Sequence, residues 1–131
     1  MALILDTRFL IAHTFPPTYE DRERVERFVT KILQEKFFIP SVVIVEYVRV
    51  AGRRIGKEAV SVRLRSWINA GAEVVPLTEE LAFKAGELAL KNPGVPLADT
   101  IVAVTALSLK ARVVSDDPHY TMLGVKTVWY K

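Results

Sequence analysis

Four acidic side chains stand in apolar surroundings, where an isolated charge is costly, and together they suggest metal chemistry. Asp6 ends the run ALILD, and Glu46 lies between VVIV and YV. Asp99 lies within PLADTIVAVTAL, and Asp117 follows the run RVVS after one residue. Carboxylates gathered in such surroundings repel one another and resist ionisation unless a cation compensates them. Because these candidate ligands are all oxygen atoms, the donor set favours Mg²⁺ or Mn²⁺ over Zn²⁺.

Each acid also has a structural interpretation that needs no metal. Asp6 could cap the helix after its strand, and Asp99 could stabilise a helix N-terminus through the dipole. Asp117 begins an Asp-Pro pair, which is common in turns, and Glu46 could point to solvent. The fourth position is ambiguous, since Asp116 directly precedes Asp117. The case for a site therefore depends on whether the fold brings these acids together.

Short apolar runs alternate along the chain with segments of helical periodicity. The runs predict strands at residues 2–6, 37–40, 72–76, 112–115 and 126–130. The periodic segments predict helices at residues 7–13, 19–36, 41–52, 57–70, 78–91 and 97–111. The valine-rich segment 41–52 is predicted to be helical because Ser41 suits an N-cap, Gly52 suits a helix end, and the run is about twice the usual strand length.

This alternation predicts an α/β fold with a mostly parallel sheet and helices on both faces. The chain has 131 residues and no linker-like run, which predicts one domain over residues 1–131. Ligands of such sheets bind beyond the carboxyl ends of the strands. Asp6 and Asp117 follow predicted strands, and Glu46 and Asp99 lie near the starts of predicted helices. We therefore expect all four acids to approach one edge of the sheet.

The composition excludes several other kinds of site. There are no cysteines, which rules out disulfides, thiolate metal sites and a cysteine nucleophile. The sequence shows no Ser-His-Asp spacing, glycine-rich phosphate loop or paired metal-binding histidines. The two histidines, His13 and His119, are expected to have simple polar roles.

The N-terminus lacks the basic start of a signal peptide, and no apolar run reaches the ~18 residues of a membrane helix, so a cytoplasmic protein is expected.

Positive charge is concentrated in the middle of the chain. The net charge is +3, from 18 basic and 15 acidic residues. Within residues 49–65 there is one acid, Glu58, and six basic residues, which are Arg49, Arg53, Arg54, Lys57, Arg63 and Arg65. Such a cluster can bind phosphates, although a solvated helix face would have the same composition.

With these features the sequence resembles a PIN domain, and within that family the VapC-type toxin ribonucleases. Four short motifs in this order carry the resemblance, and they extend over essentially the whole chain. They are LILDT at 3–7, PSVVIVEY at 40–47, PLADTIVAVTAL at 96–107 and VVSDDPHY at 113–120. The resemblance implies a Rossmann-like parallel sheet, an acidic pocket for Mg²⁺ or Mn²⁺ and endonucleolytic cleavage of RNA. It also implies a homodimer and inhibition by a small antitoxin protein.

The motifs assign roles to individual residues by position. The family's acids correspond to Asp6, Glu46, Asp99 and Asp117, and its hydroxyl residues to Thr7 and Ser115. Three departures stand out: Asp116 competes with Asp117, Arg8 replaces a small polar residue, and His119 replaces what is often an acid. We expect Asp116 to support the site, and Arg8 either to contact phosphate or to point away. The candidate RNA-binding residues are Arg8, Arg49, Arg53, Arg54 and Lys57.

The predicted function is hydrolysis of RNA phosphodiester bonds assisted by one or two Mg²⁺ or Mn²⁺ ions. Asp6 and Asp99 are expected to be the primary ligands, with Glu46 and Asp117 completing the site directly or through water. The main alternative is a non-catalytic RNA- or protein-binding module on the same fold. A phosphoacceptor receiver domain is a poorer match, because its acidic pair follows the first strand, whereas the pair here comes late in the chain.

Overall fold

A five-stranded sheet organises the protein, which a computed structural model describes over residues 1–131. All strand pairs are parallel, and the spatial order is β3-β2-β1-β4-β5. The strands are β1 (Leu3–Leu5), β2 (Phe37–Pro40), β3 (Glu73–Val75), β4 (Arg112–Val114) and β5 (Thr127–Val128). The predicted α/β class is confirmed, and the sheet is fully parallel.

Seven helices connect and cover the strands. They are α1 (Thr7–Thr14), α2 (Tyr19–Ile32), α3 (Ser41–Ile55), α4 (Lys57–Asn69), α5 (Glu79–Lys91), α6 (Leu97–Leu109) and α7 (His119–Met122). Successive connections carry the chain from β1 outward to β3, and α5 and α6 then return it across the sheet to β4. Because crossovers are right-handed, this reversal places α5 and α6 on the face opposite α1. No helix combines the length and apolar character needed to cross a membrane.

The central strands are buried on both faces, as their uninterrupted apolar sequences require. Every residue of β1 and β2 is buried, and Ile4 and Leu5 are completely inaccessible. The edge strands β3 and β5 are short and partly exposed, which limits pairing with other chains. The sheet thus supplies a rigid base for the residues that follow β1 and β4.

Helix α3 forms as predicted in spite of its valines, but both of its predicted ends were wrong. Val43, Tyr47 and Ala51 are buried at four-residue intervals, so packing of this stripe overrides the strand propensity of the segment. Ser41 is the first helical residue, and its Oγ accepts a hydrogen bond from Leu77 N at 3.1 Å instead of capping the helix. The helix continues beyond Gly52 to Ile55 and is followed by Gly56, whose φ of +86° favours glycine.

Three other predictions differ from the structure by three or more residues. Helix α2 ends at Ile32 and not at residue 36, because the chain must turn there to enter β2. Strand β5 spans two residues of the predicted 126–130. Residues 119–122 form α7, where the sequence suggested only a turn before residue 119. A helix of four residues has too little periodicity to be recognised in a sequence.

Helix α6 is largely buried, and its polar residues are accommodated locally. Thr100 and Thr105 are buried, and their hydroxyls donate to the carbonyls of Leu97 and Ile101 at 2.6 and 2.8 Å. These bonds satisfy polar groups that would otherwise be costly in the core. Asp99 is the acidic residue in the first turn of this helix, as predicted.

Candidate active site at the carboxyl edge of the sheet

The candidate site lies between β1 and β4, where the strand order reverses relative to the sequence. Leu5 pairs with Val114, so the next residues, Asp6 and Ser115, emerge side by side beyond the strand ends. Such a switch point in an open parallel sheet opens a crevice for ligands. The ends of β1 and β4 thus place the Asp6 carboxylate beside the Ser115 hydroxyl.

Asp6 is a buried carboxylate held by hydroxyl groups. Its side chain is only 4% exposed, and its Oδ1 accepts a hydrogen bond from the Tyr120 hydroxyl at 3.0 Å. Burial raises the pKa of Asp6, and hydrogen bonds from Ser115 and Tyr120 oppose that rise. Burial and the Asp6 carboxylate also raise the pKa of Tyr120, so its phenol remains a hydrogen-bond donor.

Side-chain atoms of Asp99, Asp117 and His119 form a second cluster. His119 Nδ1 lies 2.8 Å from Asp117 Oδ1 and 3.1 Å from Asp99 Oδ2. One ligand atom from each residue lies within 4.8 Å of the other two. The three side chains reach this point from the first turn of α6 and from the segment that follows β4.

The loop after β4 fixes Asp117 through backbone contacts. The Asp117 N–H donates to Ser115 Oγ at 3.1 Å, and the His119 N–H donates to Asp117 Oδ1 at 2.9 Å. Local bonds of this kind between side chain and backbone hold a turn in one conformation. The carboxylate is therefore positioned by the fold before any ligand arrives.

Asp99 carries the clearest electrostatic sign of a ligand-binding group. Burial, followed by the charges of Asp117 and Asp6, raises the pKa of Asp99 to about 6. Asp99 Oδ2 and His119 Nδ1 are both buried, and neither has a hydrogen-bond partner. Buried polar atoms normally have such partners, so these two atoms mark a place where a ligand would be stabilised.

Glu46 lies at the rim of the site and is tied to α1. Its Oε1 accepts a hydrogen bond from the Thr7 hydroxyl at 2.7 Å, and its side chain is half-buried. The carboxylate is close enough to Asp6 to raise the pKa of that residue slightly. The structure thus places all four predicted acids at one edge of the sheet, with Glu46 the most peripheral.

The consecutive residues Asp116 and Asp117 face different partners. Asp116 Oδ1 lies 2.6 Å from the Nε of Arg8, which lowers the pKa of Asp116 and raises that of Arg8. Asp117 instead joins Asp99 and His119. The Arg8–Asp116 pair is largely exposed and links α1 to the loop after β4.

The basic residues of α3 fall into two groups. Arg49 and Arg53 follow Glu46 by three and seven residues, which places them on the same face of the helix. Both are exposed and take part in no ion pair. Arg54 lies elsewhere, with its guanidinium 3.7 Å from the centre of the Phe15 ring. Lys57 is exposed at the start of α4.

A cavity of about 360 Å³ adjoins the carboxylates on the side of α1. Its lining includes Thr7, Arg8 and Asp116 from the site, together with Phe15, Trp129 and Lys131. Aromatic rings and cations side by side suit a nucleotide, since bases stack on rings and phosphates pair with cations. The cavity is therefore a candidate nucleotide pocket beside the site, and none of the four predicted acids lines it.

Two residues of the site, Tyr120 and His119, were not predicted to belong to it. Tyr120 carries no signal in the sequence beyond its place in the last motif, and its role depends on the 3.0 Å contact with Asp6. His119 was expected to have only a polar role, although its spacing Asp-x-His after a strand could have marked it. His13, by contrast, packs against the rings of Phe9 and Trp67, and burial lowers its pKa.

Solved structures with the same fold cover nearly the whole chain. DNA-bound VapBC from Salmonella typhimurium is 20% identical, with 100% of this chain and 99% of that chain covered and a TM-score of 0.75. VapC20 from Mycobacterium tuberculosis, described as a sarcin–ricin loop cleaving toxin, is 14% identical over 94% and 95%, with a TM-score of 0.78. FitAcB from Neisseria gonorrhoeae is 20% identical over 95% of each chain, with a TM-score of 0.74. At these identities the likeness establishes the fold alone.

Family membership follows from the sequence itself. A comparison with curated proteins found no significant match. The family model of the PIN domain, however, matches residues 3–124, which contain the acidic cluster and the strands that position it. The chain therefore belongs to the PIN domain family.

Proposed function

We propose that this chain is a metal-dependent endoribonuclease that hydrolyses RNA phosphodiester bonds at the carboxylate cluster, and that it is the toxin of a toxin–antitoxin pair. One observation carries the proposal. Asp6, Asp99 and Asp117 converge at the edge of the sheet, where the buried Asp99 Oδ2 has no hydrogen-bond partner. A buried carboxylate oxygen that accepts no hydrogen bond from the protein would be stabilised by a bound cation.

The donor atoms fit a divalent cation. The sequence predicted Asp6 and Asp99 as the primary ligands, but Asp117 is the acid whose ligand atom lies close to that of Asp99. Asp99 and Asp117 would therefore hold the cation, and Asp6 and Glu46 would complete the site directly or through water. Mg²⁺ or Mn²⁺ suits these oxygens. A cation would also offset the repulsion that raises the pKa of Asp99. When bound, such an ion makes an attacking water more acidic and neutralises charge on the phosphate and the leaving oxygen.

The chain's own residues hold the acids in their reactive form and orientation. Tyr120 donates to Asp6, and both Tyr120 and Ser115 favour the ionised state of Asp6 against the cost of burial. Thr7 orients Glu46, and backbone contacts hold Asp117. Positions fixed before the substrate binds need no reorganisation during the reaction, which lowers its barrier.

RNA is the substrate that best fits the surroundings of the acids. Arg49 and Arg53 would pair with phosphates of the strand next to Glu46, and Arg8, which is paired with Asp116, lines the adjoining cavity. Trp129 offers a ring on which an unpaired base would stack, as is usual in recognition of single-stranded RNA. Cleavage of RNA is also the activity in the description of the structurally similar VapC20.

A small antitoxin partner and self-association complete the proposal. A solved structure from Klebsiella pneumoniae that shares this fold, with 16% identity and a TM-score of 0.70, is described as a toxin–antitoxin complex. On α3, Val45 is 67% and Val48 is 39% exposed beside the basic face, which suits coverage by another chain. On α5, Phe83 is 68% and Leu90 is 82% exposed, and this apolar surface is the candidate for a homodimer contact.

A matched pair of substitutions tests whether the cluster cleaves RNA. Asp117→Asn keeps the shape of the side chain but removes the charge beside Asp99, whereas Asp116→Asn makes the same change at the residue paired with Arg8. We expect Asp117→Asn to lower the single-turnover cleavage rate of single-stranded RNA by at least about tenfold, or ~1.4 kcal/mol of barrier. Asp116→Asn should change the rate much less.

The pair also distinguishes this protein's activity from a contaminant. A contaminating nuclease would cleave equally well in all three preparations, which would contradict the proposal. Loss of activity only in Asp116→Asn would mean that the fourth acid is misplaced by one residue. Circular dichroism of the variants at the assay temperature shows that a lost activity does not reflect unfolding.

A further inference from the structure

We propose that His119 binds the cation through Nδ1, so that the site has mixed oxygen and nitrogen ligands and prefers first-row transition ions such as Mn²⁺ to Mg²⁺. The inference rests on the proposed function, because it assumes that the neighbouring carboxylates bind a divalent cation. A nitrogen ligand at His119 differs from the expectation from the sequence that all the ligands of the cation are oxygen atoms.

The position of Nδ1 matches that of a ligand and not that of a hydrogen-bond donor. It lies 2.8 Å from Asp117 Oδ1 and 3.1 Å from Asp99 Oδ2, yet neither contact has the alignment of a hydrogen bond. Ligand atoms at right angles around a cation with bonds of about 2.1 Å are about 3 Å apart. The observed spacings therefore suit two ligands on one ion better than a donor and its acceptor.

The imidazole is placed by the fold without help from a cation. The His119 N–H donates to Asp117 Oδ1 at 2.9 Å, which fixes the start of α7. The next residue, Tyr120, is buried and donates to Asp6 at 3.0 Å, which anchors the same helix to the site. These two contacts on either side of the His119 side chain hold its ring beside Asp99.

A nitrogen ligand changes which cations the site prefers. Mg²⁺ takes oxygen ligands almost exclusively, whereas imidazole is a good ligand for first-row transition ions. A carboxylate at position 119 would give an all-oxygen set suited to Mg²⁺. The histidine should therefore lower the affinity for Mg²⁺ relative to that for Mn²⁺.

The experiment measures the ligand nitrogen directly and needs no RNA. Mn²⁺ is added to the purified full-length protein, and pulsed electron paramagnetic resonance detects coupling between the ion and ¹⁴N. We expect an imidazole nitrogen signal in the native protein. The signal should be absent from His119→Asp, which substitutes an oxygen ligand, and retained in His13→Gln, which alters the histidine packed against Trp67.

Competition between Mn²⁺ and Mg²⁺ gives the second measurement. The preference for Mn²⁺ over Mg²⁺ should fall at least about fivefold in His119→Asp. His119→Asn, which adds no charge, serves as a second variant if His119→Asp does not fold, and it too should lose the nitrogen signal.

Bound Mn²⁺ without nitrogen coupling, an unchanged preference in the variants, or no binding of Mn²⁺ at all would each overturn the inference. Bound Mn²⁺ lacking nitrogen coupling would show that His119 only orients Asp117. RNA cleavage that still requires a divalent cation would then leave the proposed function standing, whereas cleavage in chelator would contradict that function as well.

Discussion

Replacing Asp99 with asparagine should stabilise the protein when no metal is bound. The pKa of Asp99 is raised to about 6, against an ordinary value of 3.8, because the carboxyl is buried beside Asp117 and Asp6. A shift of about two units, at 1.36 kcal/mol each, corresponds to a cost on the order of 3 kcal/mol for the ionised form. The side chain is 14% exposed, so solvent screens part of this cost. We expect Asp99→Asn to gain about 1–3 kcal/mol of unfolding free energy near pH 7.5.

The gain should depend on pH in a defined direction. Between pH 4 and 6 the folded protein binds more protons at Asp99 than the unfolded chain does, because the folded pKa is the higher one. The stability of the native protein therefore falls as pH rises through this window, and the loss is complete above it. Asp99→Asn removes this loss, so the two proteins should differ little at pH 4 and most above pH 7.

The assay is urea unfolding with excess chelator at pH 4 and pH 7.5, followed by circular dichroism. Asp116→Asn is the matched control, and it should lower the unfolding free energy instead of raising it. Pairing with Arg8 lowers the pKa of Asp116 and stabilises the folded state at neutral pH. Excess Mn²⁺ should stabilise the native protein more than Asp99→Asn, since only the native site is complete. An Asp99→Asn protein no more stable than the native one at pH 7.5 in chelator would refute the electrostatic account of the cluster.

Two further variants test the hydrogen bond to Asp6 and the basic face of α3. Tyr120→Phe removes the hydroxyl that donates to the buried Asp6, and should cost about 1–3 kcal/mol in urea unfolding at pH 7.5; unchanged stability would mean that this hydrogen bond contributes nothing to folding. Replacing Arg49 and Arg53 together with alanine should reduce the salt dependence of RNA binding by about two counterions, measured by fluorescence anisotropy in chelator; an unchanged slope would show that this helix face does not contact phosphate.

The sheet could be predicted from the sequence because its strands are short apolar runs separated by helical periodicity. Runs such as LIL in β1 and RVV in β4 mark the two strands that flank the site. The positions of Asp6 and Asp117 followed, since residues beyond parallel strands share one edge. Helix boundaries were less predictable, because Ser41 and Gly52 have the right types for caps but α3 is bounded by Pro40 and Gly56.

The details of the site depend on tertiary contacts that leave no local pattern. Helix α7 is one turn long, and its position depends on the burial of Tyr120 against Asp6. Without α7, nothing in the sequence brings His119 to Asp99. The separation of Asp116 from Asp117 likewise depends on Arg8, which is 108 residues away in the chain. Sequence reasoning could therefore place the acids at one edge but could not assign their partners.

Cleavage of RNA at the carboxylate cluster should require a divalent cation. Incubating purified protein with single-stranded RNA in excess chelator, and then restoring Mg²⁺ or Mn²⁺, measures this requirement. We expect no cleavage above background in chelator and full recovery when the ion is returned. Cleavage at the full rate in chelator, by protein that loses this activity on Asp117→Asn substitution, would contradict the metal-dependent mechanism.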